Sequence, residues 1–158
     1  MAAITFFEWV EGTALGTTIR ESVWYFPVIE GMHLVALAQL GGAALLVDLR
    51  MLGALFPRVP TAQLAREARP WLLGSITVML ITGVLLFMSE AVKCYYNVSF
   101  WVKMSALLAS LVFLFVVKQP LALRAEGTTS PAVYKTVGAI SIALWFTVAA
   151  AGRWIGFS

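Results

Sequence analysis

Six ionisable side chains in this sequence lie inside or beside long apolar stretches: Glu30, His33, Glu90, Lys93, Lys103 and Arg153. A charge held in hydrocarbon costs about 2.5–3.5 kcal/mol on insertion scales, so such residues usually pair with each other or bind a ligand. Glu30 and His33 are three residues apart, which places them on one face of a helix. An imidazole binds metals and titrates near neutral pH, while the basic side chains suit an anionic group. The sequence therefore indicates a binding site, a set of mutually neutralised charges, or both.

The elements that position these residues are four apolar stretches, approximately residues 27–47, 71–88, 100–117 and 136–155. Each is close to the ~20 residues that an α-helix needs to cross a bilayer. Hydrophobic residues make up 61% of the chain and charged residues 12%, which excludes a water-soluble fold. The sequence predicts an all-α membrane protein, a four-transmembrane-helix bundle forming a single domain over residues 1–158. Its partner is the lipid bilayer, and no basic stripe points to nucleic acid.

Two further helices are predicted outside the spans. Over residues 3–24, aromatic side chains such as Phe6, Phe7 and Trp9 alternate with charged ones, although Gly12 and Gly16 weaken the helix. This pattern is typical of an amphipathic helix that lies in the membrane interface. Residues 61–69 predict a short surface helix in the first loop, with Thr61 as its cap.

The distribution of lysine and arginine predicts the orientation. Loops one and three hold seven of the eleven basic residues: Arg50, Arg58, Arg66, Arg69, Lys118, Arg124 and Lys135. By the positive-inside rule these loops face the cytoplasm, so both termini are periplasmic in a bacterial inner membrane. The six ionisable residues named first then converge at the periplasmic end. The inner half of the bundle holds almost nothing comparable.

The charges at that end favour an anionic or oxygen-bearing ligand. Glu30 and Glu90 supply two negative charges, against three positive charges from Lys93, Lys103 and Arg153. Haem b fits this count, with His33 as the axial ligand and the basic residues at the propionates. A quinone is the other cofactor of the same hypothesis, which is a subunit for periplasm-side electron transfer. Since the chain has one histidine, the second axial ligand of a haem is Met, Lys, an exogenous group or His33 of a second subunit.

Other functions stay open. Copper is the alternative ligand, because Met32, Met88, Met104 and Cys94 lie on the same side as His33, and soft sulfur atoms with imidazole suit Cu(I). A non-catalytic scaffold subunit is the third possibility, its polar residues fixing helix order and receiving a periplasmic or membrane partner. The run Gly41-Gly42-Ala43-Ala44 predicts a packing seam within the chain or in a homo-oligomer. No nucleophile–base pair identifies catalytic residues.

Several motifs carry a resemblance to a family of small bacterial four-helix inner-membrane proteins of unknown function. They are Ile19-Arg20-Glu21-Ser22, Phe26-Pro27-Val28-Ile29-Glu30 with His33, Asp48-Leu49-Arg50-Met51-Leu52-Gly53, Thr82-Gly83, Ser89-Glu90-Ala91-Val92-Lys93, Asn97 with Phe100 and Lys103, and Ala151-Gly152-Arg153-Trp154-Ile155. The resemblance covers nearly the whole chain and implies no settled activity. More distantly, a histidine early in the first of four spans is similar to the membrane domain of copper-resistance protein D and to the four-helix, haem-binding protoporphyrinogen oxidase.

Overall fold

The computed structural model describes residues 2–124, 127–155 and 157. All regular structure in these residues is helical. The helices are α1 (Ala2–Glu11), α2 (Ala14–Glu21), α3 (Tyr25–Leu52), α4 (Thr61–Ser89), α5 (Ala91–Tyr96), α6 (Val98–Ala122) and α7 (Pro131–Ile155).

Four of these helices, α3, α4, α6 and α7, are long and apolar enough to cross a membrane, which confirms the predicted four-helix membrane bundle. They alternate in direction. We call the end at which α3 and α6 begin, and α4 and α7 end, the upper end; the opposite end is the lower end. Both chain termini therefore lie toward the upper end.

The spanning helices are longer than hydropathy predicts, mostly at the lower end. Residues 61–69 are not a separate surface helix, because α4 starts at Thr61 and continues past Pro70 to Ser89. Proline inside a helix removes one backbone hydrogen bond. Packing compensates for that loss, since Ala65 and Ala68 are buried in the lower core and hold the first turns of α4 against the bundle.

The four helices do not pack evenly around a common axis. Helix α3 packs along both α4 and α7, and α7 packs along α6. Helices α4 and α6 contact each other mainly near the lower end, through Gln119–Ala122 of α6. A cleft therefore lies between α4 and α6 over the upper part of the bundle.

Two apolar clusters hold the bundle together. The central cluster consists of Ala36, Leu40, Ala43, Ala44, Leu72, Ile76, Met79 and Leu114. The lower apolar cluster consists of Val47, Met51, Ala65, Ala68, Leu121, Ala122 and Val137. Many members are alanines, and small residues let membrane helices approach closely enough for van der Waals packing, which replaces the hydrophobic effect in lipid.

The N-terminal segment forms two helices instead of the single helix predicted over residues 3–24. Helix α1 ends at Glu11, and the Thr13 side chain caps α2 by accepting a hydrogen bond from the Gly16 amide at 3.2 Å. Gly16 is required there, because a Cβ on it would lie 2.5 Å from the Met88 carbonyl oxygen at the end of α4.

A second set of contacts attaches this segment to the upper end. The Phe7 ring contacts Phe87 of α4 and Tyr95 of α5, with ring centroids 5.5 and 5.0 Å apart. The Glu11 carboxylate accepts a hydrogen bond of 2.7 Å from the Val92 amide in the first turn of α5, and it pairs with Arg20 at 3.0 Å. The N-terminal segment is thus part of the packed structure at the upper end.

Helix α6 contains one irregularity. Residues Phe113–Lys118 form a π-helical segment, with α-helix on both sides. Such segments are rare, insert an extra residue into a turn and occur frequently at functional sites. This one ends at Lys118, which is buried.

Candidate functional site

The cleft between α4 and α6 contains a cavity of about 230 Å³. Its walls come mainly from α4 and α6, and α3 and α7 contribute its back. The lining residues are His33, Leu40, Ile76, Met79, Leu80, Gly83, Val84, Phe87, Phe100, Lys103, Met104, Leu107, Leu111 and Trp145. All of them are apolar except His33 and Lys103. A concave apolar site with a few convergent polar groups is the usual form of a ligand-binding site.

His33 reaches this cavity from α3 and is 8% exposed. Its Nδ1 lies 2.9 Å from Thr82 Oγ1, and the Thr82 hydroxyl donates to the Val78 carbonyl at 2.7 Å. Because the hydroxyl proton is used by Val78, Thr82 accepts from His33. The neutral ring therefore carries its proton on Nδ1 and keeps an acceptor lone pair on Nε2.

Gly83 makes room for the imidazole. A Cβ at this position would lie 3.3 Å from His33 Cε1, which is closer than a normal contact. Thr82 and Gly83 therefore act together, one fixing the tautomer of His33 and the other admitting its ring between α3 and α4. This gives a structural reason for the Thr82-Gly83 pair.

Lys103 enters the same cavity from α6. The end of its side chain, including Nζ, lies 3.6 Å from the position that a Cβ on Gly152 of α7 would occupy. No carboxylate among the residues that the structure describes lies within 4 Å of its ammonium group. A lysine ammonium has three donors and normally finds acceptors when it is half-buried. The upper cavity therefore presents a cation in need of an acceptor.

Aromatic rings cover the upper end of the cavity. Phe87 of α4 stacks on Phe100 of α6, with centroids 5.7 Å apart and ring planes 14° apart. Phe7 of α1 packs edge-on against Phe87 from above. The rings bridge the cleft where α4 and α6 would otherwise separate, so they shield His33 and Lys103 from the aqueous side.

The other four residues predicted for the site lie elsewhere. Glu90 pairs with Lys93 at 3.5 Å on the surface of the upper end. The Arg153 guanidinium lies 4.7 Å from the centre of the Phe157 ring, which is a cation–π contact. Glu30 is exposed on α3. The structure brings His33 and Lys103 into one cavity and leaves these four outside it.

The sulfur atoms predicted for copper are also rearranged. Met32 is exposed, whereas Met79 and Met104 line the cavity with His33. Burial raises the pKa of the Cys94 thiol to about 11, so it is protonated at neutral pH and is a poor metal ligand in that state. Within the described ranges, no three His, Cys, Asp or Glu side chains are grouped as they would be around a metal ion.

A second polar cluster lies near the lower end, where the sequence predicted almost nothing comparable; that prediction was wrong. Lys118 Nζ lies 2.6 Å from Asp48 Oδ1 and donates to Ser141 Oγ and to the Ala44 carbonyl, both at 3.1 Å. The Ser141 hydroxyl donates to Asp48 Oδ2 at 2.8 Å. Asp48 and Ser141 are 1% exposed and Lys118 is 2% exposed.

Comparison with known proteins identifies a family for nearly the whole chain. The chain matches a family of unknown function, DUF6644, over residues 6–158. It belongs to this family. No curated protein and no solved structure matches the chain. The likenesses to copper-resistance protein D and to protoporphyrinogen oxidase therefore stay expectations, and function in this member of DUF6644 has to be inferred from its own residues.

The sequence did contain a signal for the lower cluster. Asp48 and Lys118 each lie four residues from the lower ends of α3 and α6, so they fall at one depth, and Ser141 lies in the lower half of α7. The sequence predicts Lys118 as the first residue of the third loop, directly after the apolar stretch 100–117. Here the helix continues because Asp48 neutralises the lysine within the bundle.

Proposed function

We propose that this protein is a quinone-linked membrane subunit and that it binds the headgroup of a quinone or quinol in the cavity between α4 and α6. The observation that supports this proposal is the combination in one cleft of apolar walls with His33 and Lys103 at one end. An isoprenoid quinone likewise combines a polar end, with two ring oxygens, and a long hydrocarbon tail.

The polar groups match both forms of such a ligand. A quinone carbonyl accepts a hydrogen bond, which the Lys103 ammonium can donate. A quinol hydroxyl donates one, and the Nε2 lone pair of His33 can accept it. Trp145 and Leu111 supply apolar surface for the ring and the tail. The cleft between two membrane helices gives the tail a route to the lipid.

The size of the cavity favours a quinone over haem b. Pockets for drug-sized ligands are typically about 300–1,000 Å³, and a tetrapyrrole is larger than most such ligands. The cavity of about 230 Å³ lies below this range, which favours a single ring over a tetrapyrrole. Two of the three residues predicted to hold the propionates, Lys93 and Arg153, have other partners. Haem is therefore the weaker form of the hypothesis.

Quinone binding can be tested through Trp145, which lines the cavity. A short-chain benzoquinone is titrated into the purified protein in mild detergent, and the quenching lost in Trp145→Phe is taken as the site-specific signal. We expect saturable quenching, with the apparent Kd raised about 10- to 100-fold in Lys103→Met, since a hydrogen bond to a charged group is lost. Lys93→Met is the matched control and should bind like the unchanged protein. Equal Kd values in the unchanged protein, Lys103→Met and Lys93→Met, or quenching that never saturates, would contradict the proposal.

Copper is a second candidate, supported by Met79 and Met104 beside His33. Two thioethers and an imidazole suit Cu(I), but the positive charge of Lys103 in the same cavity repels a metal ion. Titration with Cu(I) against a chromophoric chelator separates the two ligands. Copper handling predicts stoichiometric binding that His33→Ala abolishes and Lys103→Met strengthens, the reverse of the effect of Lys103→Met on quinone binding.

We also propose the surroundings of this subunit. The excess of basic residues at the lower end supports an inner-membrane protein whose upper end faces the periplasm. A homo-oligomer or a membrane or periplasmic partner would supply the other half of an electron-transfer reaction. Reporter fusions at the C-terminus and at Arg58 test the orientation. For a scaffold subunit without a ligand, Lys103→Met would break up an assembly in mild detergent without changing quinone binding.

A further inference from the structure

The polar cluster at the lower end, formed by Asp48, Lys118 and Ser141, is a site separate from the cavity. His33 and Asp48 both lie on α3, fifteen residues apart, which is about 22 Å along the helix. Between them lies the central apolar cluster, including Leu40, Leu72 and Leu114. Hence the lower cluster does not complete the quinone site, and a role for it is independent of the proposed function.

Both charged groups of the pair have partners within the bundle. The Lys118 ammonium donates hydrogen bonds to Ser141 and to the Ala44 carbonyl, and it forms an ion pair with Asp48 Oδ1. Asp48 Oδ2 accepts a hydrogen bond from Ser141, whereas Oδ1 is held by the ion pair alone. This is the arrangement of an ionised pair, and a proton added to the carboxylate removes the charge that holds Lys118 in place.

Stability is a weak explanation for such a pair. Buried ion pairs are costly to desolvate, and apolar residues of similar volume often stabilise a protein as well or better. Within membrane helices, paired ionisable residues commonly belong to proton relays and ion pathways. The other charged groups near this end on the packed helices point to different partners or to solvent. Arg50 of α3 donates to the Val59 carbonyl at 2.5 Å. The remaining ones are exposed: Arg66, Glu67 and Arg69 of α4 and Lys135 of α7.

The site lies nearer to the lower end of the bundle than to the upper end. Asp48 lies four residues before the end of α3, and Lys118 lies four residues before the end of α6, about 6 Å in each case. Met51, Leu121 and Val137 of the lower apolar cluster pack between these residues and the lower ends of the helices. The route to the upper end crosses the whole central apolar cluster. Proton exchange would therefore take place with the lower aqueous phase.

Helix α6 has an element that can respond to a change in charge. Lys118 ends the π-helical segment Phe113–Lys118, and the extra residue of that segment sets the direction in which Lys118 points. An α-helix advances by about 100° per residue, so loss of the extra residue would turn the side chain away from Asp48. The ion pair with Asp48 and the π-helical form of α6 therefore depend on the same residue, Lys118.

From these observations we infer that Asp48, Lys118 and Ser141 form a proton-exchange site. One proton from the lower aqueous phase adds to Asp48 Oδ1, the ion pair breaks, and Lys118 keeps its own proton and charge. The reverse step returns that proton to the same phase and restores the pair. No electron transfer and no covalent bond other than the O–H bond is involved.

The test uses the unchanged protein, because Asp48 is the only aspartate in the sequence. Cell-free synthesis with carbon-13 aspartate gives a single side-chain carboxyl signal by nuclear magnetic resonance. We expect this signal to move reversibly from the carboxylate to the acid position as the pH is lowered, while the fold persists. A signal that keeps the carboxylate position until the protein unfolds would overturn the inference.

A pair of lysine variants shows whether Lys118 controls the exchange. In Lys118→Met the carboxyl signal should reach the acid position at a higher pH than in the unchanged protein, because the neighbouring positive charge is gone. Lys135→Met, an exposed lysine at the same end, should leave the titration of Asp48 unchanged. Identical titrations in both variants would contradict the coupling. If no quinone bound in the cavity, as reported by Trp145 fluorescence, neither of these results would change.

Discussion

At the lower end of the bundle the Lys118 ammonium has three oxygen partners, whereas at the upper end Lys103 has no carboxylate within 4 Å among the described residues. Both lysines lie on α6, and both are enclosed by apolar side chains. The lower one completes a network within the chain. The upper one lines a cavity that opens between two helices.

This difference separates two uses of a charge inside a membrane protein. A charge whose partners all come from the same chain is complete, which is why we propose for it a change of state, such as the gain of a proton. A charge that faces a cavity without an internal partner is incomplete, which is why we propose that it binds something from outside. Depth in the membrane does not distinguish the two, but the hydrogen-bond partners do.

The largest effect expected is at the lower end. Lys118→Met leaves Asp48 buried without its cation, so the free energy of unfolding should fall by about 3–5 kcal/mol. The double variant Asp48→Asn with Lys118→Met should recover part of this loss, since neither charge then remains. Equilibrium unfolding in mixed detergent micelles measures both values, with Lys135→Met as the control. A single variant as stable as the control would mean that the pair contributes nothing.

A smaller effect is expected where the N-terminal segment covers the upper end. In Gly16→Ala the new Cβ meets the Met88 carbonyl, a backbone atom that cannot move freely, so α2 must shift and the protein should lose about 1–3 kcal/mol. Gly31→Ala is the matched control, because nothing lies within 4 Å of a Cβ there. The same unfolding measurement applies, and equal stability of the two variants would show that α2 is not firmly packed on α4.

Lys103→Met sharpens the contrast with Lys118. Because Lys103 has no ion-pair partner in the described structure, its removal should keep or raise the free energy of unfolding, with a change of less than about 1 kcal/mol. Unfolding of the ligand-free protein measures this. A loss as large as that of Lys118→Met would show that Lys103 is part of an internal network, and the comparison between the two ends would fail.

The smallest effect concerns reactivity and leaves stability unchanged. With its pKa raised to about 11 by burial, the Cys94 thiol should form thiolate, and react with iodoacetamide near pH 8, about 100-fold less than a free cysteine. The rate should rise with pH until the pH approaches the thiol pKa. In Phe7→Ala, which loosens the cover over α5, the rate should increase. A Cys94 that reacts like a free thiol in the unchanged protein would show that the upper end is open.

Much of the fold could be predicted from the sequence, because spans depend on length and hydropathy alone. The four helices and the N-terminal helical segment follow from that principle. The ends of the helices do not, since they depend on packing. Residues 61–69 look like a loop helix in isolation, yet Ala65 and Ala68 are buried in the lower apolar cluster and so extend α4.

The sites were predictable to the extent that depth defines them. Depth placed His33 and Lys103 together, and the structure puts both in one cavity. Depth also grouped Glu30 and Arg153 with them, but those side chains point elsewhere because rotation about each helix axis is set by contacts between helices. The lower cluster was missed for a related reason: Lys118 reads as a loop residue until its partners Asp48 and Ser141 are known.

The attachment of the N-terminal segment has a consequence for the order of events during synthesis. Glu11 accepts its hydrogen bond from Val92, 81 residues later in the chain. When Glu11 leaves the ribosome, neither α5 nor the end of α4 has been made. The first 21 residues must therefore wait, undocked, until the second membrane helix has been inserted and the turn after it has emerged. Closure of the upper end is a late step of biogenesis, and it follows insertion of the helices that it covers.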